Sequence, residues 1–236
     1  MATRRPASPE EEALGALPPF SALEDDDRRR LAPYVRLRDH ADKEVLFREG
    51  DPSDRFCTVV QGQVKVVKST PQGKERILEI LGPGDPFGAV AAYQGRPYPA
   101  SALALGPVRV LSLARSDFLA LIERHPAIAR GLLLGLTRRL MELTRTLSQS
   151  SRGVEERIAA FFLKMADRLG EQRGDGIAIP LALSRQDIAD VAGATLETAI
   201  RVMSRWGREG ILTGEKGSFL LRDRELLERI ARVREP

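Results

Sequence analysis

At 236 residues, with 42% hydrophobic and 30% charged residues, the chain reads as a globular protein of two ordinary domains, which excludes disorder. The single cysteine excludes an intrachain disulfide framework and fits a reducing cytoplasm, and no run of about 18 apolar residues exists to span a membrane. The net charge of +4 is unevenly spread: acids crowd Glu10–Glu12 and Glu24–Asp27, whereas arginines punctuate Arg185 to Arg208, an asymmetry that suits a polyanion partner at one end.

In chain order, residues 1–17 lack the apolar core of a signal peptide and read as a flexible tail. A helix is expected over Glu24–Tyr34. From Val35 to Leu113 short alternating runs follow (VRLRDH, KEVLFREG, RFCTVVQG, QVKVVKST, ERILEIL, SALALG and VRVLSLA). Glycines and prolines punctuate them, among them Gly50, Gly62, Gly73, Gly82-Pro83-Gly84 and Gly106-Pro107. Many short strands with such turns predict an antiparallel barrel or jelly-roll-like β-roll over residues 18–125. A helix over Ser116–Arg124 closes it before Pro126.

A long helix is expected over 126–150, with proline in its first turn. Ala129, Leu133, Leu136, Leu140, Leu143, Leu147 and Ser150 alternate by four and three, the seam of a helix packed on a parallel copy of itself. Leu132, Leu134 and Met141 widen the stripe, so a contact with the roll is the competing reading. Ser150, Ser151 and Gly153 break the pattern, and a hinge is expected there before a new domain over 154–236.

In that domain, Leu183 to Leu212 (LSRQDIADVAGATLETAIRVMSRWGREGIL) reads as two short helices around a tight turn. Ser184 with Asp187 has capping-box form, and Gly193 supplies the positive φ of a sharp exit. Thr195 suits an N-cap, and Ala199, Val202, Met203 and Trp206 form an inward stripe. Glu197 and Arg201 lie one turn apart on another face, with Arg205 a turn further. A recognition helix needs this arrangement, because its start meets base edges while later residues reach phosphates. The plain alternative is a helical hairpin whose Glu197 and Arg201 form a solvated pair worth about 0.2–0.5 kcal/mol. Ile211–Leu212, a turn at Gly214–Gly217 and Ser218–Leu221 then give a wing hairpin. Lys216 at its tip and Arg208 are placed for phosphates. The candidate DNA-contacting set is Ser184, Arg185, Gln186, Thr195, Glu197, Thr198, Arg201, Arg205 and Lys216.

The order of β-roll, long helix, hinge and winged helix-turn-helix resembles the Crp/Fnr family of bacterial transcription regulators. The likeness covers about residues 18–222. It is carried by Glu49-Gly50-Asp51, by Phe56 to Gly62 with Val64–Val67, by Gly82-Pro83-Gly84-Asp85-Pro86-Phe87-Gly88, and by Leu183 to Leu212. The resemblance implies an α+β protein, a homodimer with Leu133, Leu136, Leu140, Leu143 and Leu147 in its interface, and double-stranded DNA and RNA polymerase as partners. It also implies an effector pocket bounded by Phe87, Gly88, Ala89, Tyr93, Tyr98, Pro99, Ala100, Ser101, Leu143 and Thr144.

The departures bear on the effector. In cyclic-AMP-binding members a glutamate follows the Gly88-type glycine and holds the ribose, and an Arg-Ser or Arg-Thr pair holds the phosphate. This chain has Ala89 in the first place and Pro99-Ala100-Ser101 in the second, with Arg96 on the wrong side of Pro97. A buried phosphate without a guanidinium bears a large desolvation cost. The threonine-serine pair that reads adenine appears as Leu143-Thr144. Cyclic AMP is therefore not expected as the effector. An iron–sulfur cluster needs several cysteines and Cys57 stands alone. Haem would need His40 or His125, which read more simply as surface or junction histidines.

The expected function is a sequence-specific regulator reading an inverted repeat near TTGA-N6-TCAA. The resemblance implies this site, because in the family the glutamate and arginine spaced as Glu197 and Arg201 contact the G·C pairs of a TGA-type half-site, cytosine and guanine respectively. Leu196, where cyclic-AMP-responsive members carry arginine, suits a thymine methyl. The alternative is a haem- or small-molecule-sensing module whose output is a protein contact. No nucleophile–base pair, metal quartet or phosphate loop suggests an enzyme.

Overall fold

The alternating runs of the N-terminal half become an antiparallel sheet in the computed structural model, which describes residues 6–21, 23–70, 75–148 and 153–232. The chain divides into two units, Met1–Val64 with Leu81–Arg145 and Lys65–Ile80 with Thr146–Pro236.

In the first unit the strands are β1 (Val35–His40), β2 (Val45–Phe47), β3 (Arg55–Ser69), β4 (Glu75–Leu81), β5 (Pro86–Phe87) and β6 (Ser101–Ala114), of which β3 and β4 run on into the second unit. They are ordered β1-β6-β3-β4, with β2 on β6 and β5 on β3. The register sets Val35 opposite Leu113 and Cys57 opposite Phe87. The runs expected as separate strands on either side of Gly62 and of Gly106-Pro107 are each continuous. Both glycines take positive φ inside a strand, +79° and +76°. A Cβ on Gly62 would stand 2.3 Å from the Pro107 carbonyl oxygen. A glycine with φ above zero bends a strand without ending its ladder, so β3 and β6 turn together where sequence suggested two turns.

Helices cover the outer face of this sheet: α1 (Pro9–Ala16), α2 (Asp25–Leu31), α4 (Arg115–Arg124) and the start of α5 (Pro126–Ser148). The tail expected over residues 1–17 is corrected in its described part. Ser8 caps α1 by accepting from the Glu11 N–H, and Ala13, Leu14 and Leu17 are buried. They join Phe20, Phe56, Phe118 and Ile128 in one core cluster. Phe56 stacks on Phe118 with centroids 4.7 Å apart, and Phe20 meets Phe56 edge-on at 5.9 Å. Each such ring contributes about 1.5–3 kcal/mol by burial, which outweighs a polar helix's tendency to fray. A short helix α3 (Ala89–Gln94), not foreseen, begins at Gly88 and ends at Gly95, both in the left-handed region.

The second unit contains α6 (Val154–Leu169), a hairpin of β7 (Glu171–Arg173) and β8 (Gly176–Ile179), then α7 (Arg185–Ala192) and α8 (Leu196–Arg208). The wing β9 (Leu212–Glu215) and β10 (Ser218–Leu221) follow, and α9 (Arg224–Arg232) ends the unit. The strands are ordered β7-β8-β10-β9, so the wing belongs to a four-stranded sheet. Trp206, Phe162, Ile158 and Ile179 are fully buried, and Phe162 meets Phe219 at 4.8 Å. Sequence reading missed the β7–β8 hairpin and α9. Asp223 caps α9 by accepting from the Leu226 N–H at 2.8 Å, and Leu227 is buried.

The segment Lys65–Ile80, expected within the roll, belongs to this second unit. Lys65 donates to Asp187 at 2.7 Å, and Arg168 donates to the Ile80 carbonyl at 3.2 Å. The expected turn at Gly73 and the hinge residues Ser150 and Ser151 lie outside the described residues. Gly153 is described and caps α6, its N–H donating to Glu156 at 3.0 Å.

Candidate nucleic-acid interface

Residues 184–208 fold as their capping signals require. The Ser184 hydroxyl accepts from the Asp187 N–H at 3.1 Å while the Asp187 carboxylate accepts from the Ser184 N–H at 2.9 Å and from its hydroxyl at 2.6 Å. Gly193, with φ +59°, closes α7, and Thr195 caps α8 by accepting from the Thr198 N–H at 3.3 Å. Each cap is worth about 1 kcal/mol, and together they fix where the second helix begins.

The inward face of α8 is sealed: Ala199, Val202, Met203 and Trp206 are all buried. Sequence reading missed the residue that holds its far end. The Glu155 carboxylate of α6 accepts from the Trp206 indole at 3.1 Å and forms an ion pair with Arg205. The hydrogen bond that Arg205 itself makes to Glu155, with the charge of that carboxylate, reinforces the charged form of the guanidinium. No local signal could have shown this contact, because its partners lie 50 residues apart. The guanidinium of Arg205, expected at a phosphate, is thus engaged inside the unit.

The outward face is open. Leu196, Glu197, Ile200, Arg201 and Ser204 are exposed. Among the described residues, Glu197 and Arg201 form no hydrogen bond or ion pair, so the solvated pair offered as the plain reading is absent from this structure. Thr195 and Thr198 share a hydroxyl contact of 3.0 Å, and Gln186 donates to Asp190 at 2.7 Å. Arg185 begins α7 with its guanidinium over the wing, within 3.6 Å of where a Cβ on Gly214 would stand. Lys216 is exposed in the wing turn, beside a pair between Arg173 and Glu215 at 2.6 Å. The second unit thus exposes the Glu197 carboxylate and the Arg201 guanidinium on α8 and the Lys216 ammonium in the wing, with Arg185 at the start of α7. That mixture can grip base edges and phosphates.

In the first unit, Phe87, Ala89, Tyr98 and Ala100 of the expected effector residues are drawn into packing. Tyr98 is buried and stacked on Phe47 with centroids 3.7 Å apart, and Phe47 meets Phe87 at 5.9 Å. The Tyr98 hydroxyl donates to the Arg55 carbonyl at 2.9 Å, and a Cβ on Gly88 would press on the Tyr98 ring at 3.2 Å. Ala89 packs against the helical core cluster, Ala100 is buried, Pro99 is exposed, and Ser101 accepts from the Glu49 N–H at 2.9 Å. Tyr93, expected to bound the pocket, is 62% exposed on α3. Thr144 donates to the Leu140 carbonyl at 2.9 Å. Cys57 is buried, and desolvation pushes its thiol up to about 12. His40, the last residue of β1, lies 2.7 Å from Glu44, and His125 lies 3.7 Å from Asp27.

On α5, Leu133, Leu134, Leu136, Leu140 and Met141 are all exposed. The side chains of Leu143 and Leu147 lie outside the described residues.

Comparison with known proteins agrees with this layout. Residues 37–125 match the cyclic nucleotide-binding domain and residues 156–230 the Crp-like helix-turn-helix domain. The chain is 32% identical over 205 residues to the CRP-like cAMP-activated global transcriptional regulator of Mycobacterium tuberculosis, covering 86% of this chain and 90% of that one. It is 32% identical over 220 residues to the nitrogen fixation regulation protein FixK of Bradyrhizobium diazoefficiens, covering 89% and 88%. The structure of FixK2 from Bradyrhizobium japonicum superposes with a TM-score of 0.72 at 27% identity, over 83% of this chain and 96% of that one.

Proposed function

Because the chain belongs to the Crp/Fnr family of transcription regulators, we propose that it acts as a homodimer reading an inverted repeat near TTGA-N6-TCAA through α8. The observation that carries this reading is the open pair Glu197 and Arg201 on a helix whose other face is locked by Trp206. Glu197 accepts from cytosine N4 and Arg201 donates to guanine O6 and N7, while Arg185 and Lys216 meet phosphates. Half-sites about one helical turn apart match a two-fold axis.

The dimer reading rests on α5. Leu133, Leu136 and Leu140 follow the four-three spacing of a two-stranded seam and stand 63%, 41% and 65% exposed. Such a contiguous apolar stripe is what a second copy covers. RNA polymerase is proposed as a partner on the family resemblance alone.

The roll favours an effector other than cyclic AMP. Phe47, Phe87 and Tyr98 pack on one another, and no arginine stands at Pro99 or Ala100 to neutralise a phosphate. Selection of binding sites from random duplexes tests the whole proposal. Recovery of a two-fold TTGA-type repeat is expected; sites without two-fold symmetry overturn it.

A further inference from the structure

We infer that Ile200 is a base-reading residue, forming with Leu196 an apolar strip that receives thymine methyl groups. The inference rests on the proposed DNA reading and adds a contact to it. At about 100° per residue, Ile200 falls on the arc between Leu196 and Glu197, not on the inward stripe of Ala199, Val202, Met203 and Trp206. Leu196 and Ile200 are 42% and 43% exposed, one turn apart. Isoleucine is only a middling helix former, so local structure does not call for it at an exposed place in a short helix.

What covers the strip is fixed by its neighbours. Glu197 and Arg201 border it on one side, the buried stripe lies on the other, and Arg185 and Lys216 stand on the same unit. An apolar protein surface would have to bury these charges unpaired. The major-groove edge of an A·T pair offers an apolar methyl on a polyanion, with donors and acceptors beside it. Ile200 has neither donor nor acceptor, so it favours thymine over cytosine by the methyl alone.

The test uses the full-length protein and the duplex recovered by selection, with each thymidine replaced in turn by deoxyuridine, which removes only the methyl. At one or two positions per half-site, the replacement is expected to weaken wild-type binding about fourfold, as for one buried methyl group. Ile200→Ala is expected to bind more weakly and to lose sensitivity to deoxyuridine at one of those positions. In place of that thymine, 5-methylcytosine is expected to be tolerated better than cytosine. A two-fold site whose deoxyuridine series is flat overturns this inference alone. A failure to select any site overturns it together with the DNA reading.

Discussion

Lys65, in the segment 65–80, donates to the carboxylate of Asp187, the third residue of α7, at 2.7 Å, with both side chains more than four-fifths shielded. The same carboxylate closes the capping box of Ser184. One ion pair therefore anchors the start of the helix-turn-helix to a strand 122 residues away.

This pair predicts a pH dependence. Burial pushes the Asp187 carboxyl up, but the hydrogen bonds from Lys65 and Ser184 outweigh it and hold the group below its ordinary 3.8. A depressed carboxylate contributes stability that is complete above the unfolded-chain value and is lost as pH falls through the lower folded value. Lys65→Met is expected to destabilise the second unit by about 1.5–3 kcal/mol at pH 7. The difference from wild type should begin to shrink as pH falls below about 4 and go on shrinking toward the lower folded value. Urea unfolding of the full chain between pH 7 and about pH 2.5 measures it; a difference that does not change with pH would refute the assignment.

Glu155 predicts a separation between orientation and contact. If its pairing with Arg205 and Trp206 sets the pose of α8, Glu155→Ala and Arg205→Ala should each cost about 1–2 kcal/mol of stability, discounted for partial exposure. Both should weaken every DNA site alike, leaving base preference and the salt slope as in wild type. A slope reduced by about one in Arg205→Ala would instead return Arg205 to a phosphate.

The caps, the turn at Gly193, the inward stripe of α8 and the wing were legible in sequence because each is set by residues close in the chain. The Glu155 contact and the membership of Lys65 in the second unit were not, since both depend on tertiary partners. Gly62 and Gly106 were legible as special but misread in kind: sequence marks a positive-φ residue without saying whether the strand ends or bends. Helix α1 was hidden because its apolar residues Ala13, Leu14 and Leu17 follow a run of acids that resembles a solvated tail. Ile200 was not legible because an apolar residue in an amphipathic helix reads as core until its exposure is known.

The α5 seam predicts an assembly. Leu140→Asp places a carboxylate where a second copy should pack, at a cost of several kcal/mol, about 3–5 for an unpaired buried charge. Sedimentation should show a monomer that no longer holds an inverted repeat. A variant that remains dimeric would remove α5 from the interface.

The aromatic stack predicts the response of the roll to nucleotide. Tyr98→Ala removes a buried ring stacked on Phe47 and is expected to cost about 3–5 kcal/mol. In the wild-type protein, calorimetry with millimolar cyclic AMP should give no specific heat. Binding tighter than about 10 micromolar, roughly −7 kcal/mol, would show that the stack opens for a nucleotide.

Arg201 and Lys216 should differ in what their loss does to DNA binding. Arg201 stands unpaired on the outer face of α8, so Arg201→Ala should cost about 1–3 kcal/mol on the selected site and relax preference at one G·C pair per half-site. Lys216 lies exposed in the wing turn and is proposed to meet a phosphate. Lys216→Ala should weaken all sequences in proportion and lower the slope of log affinity against log salt by about one for each lysine removed. Titrations of both variants at several salt concentrations, on the selected duplex and on a scrambled one, separate the two effects. An Arg201→Ala protein with unchanged base preference would show that α8 does not read the groove through that residue.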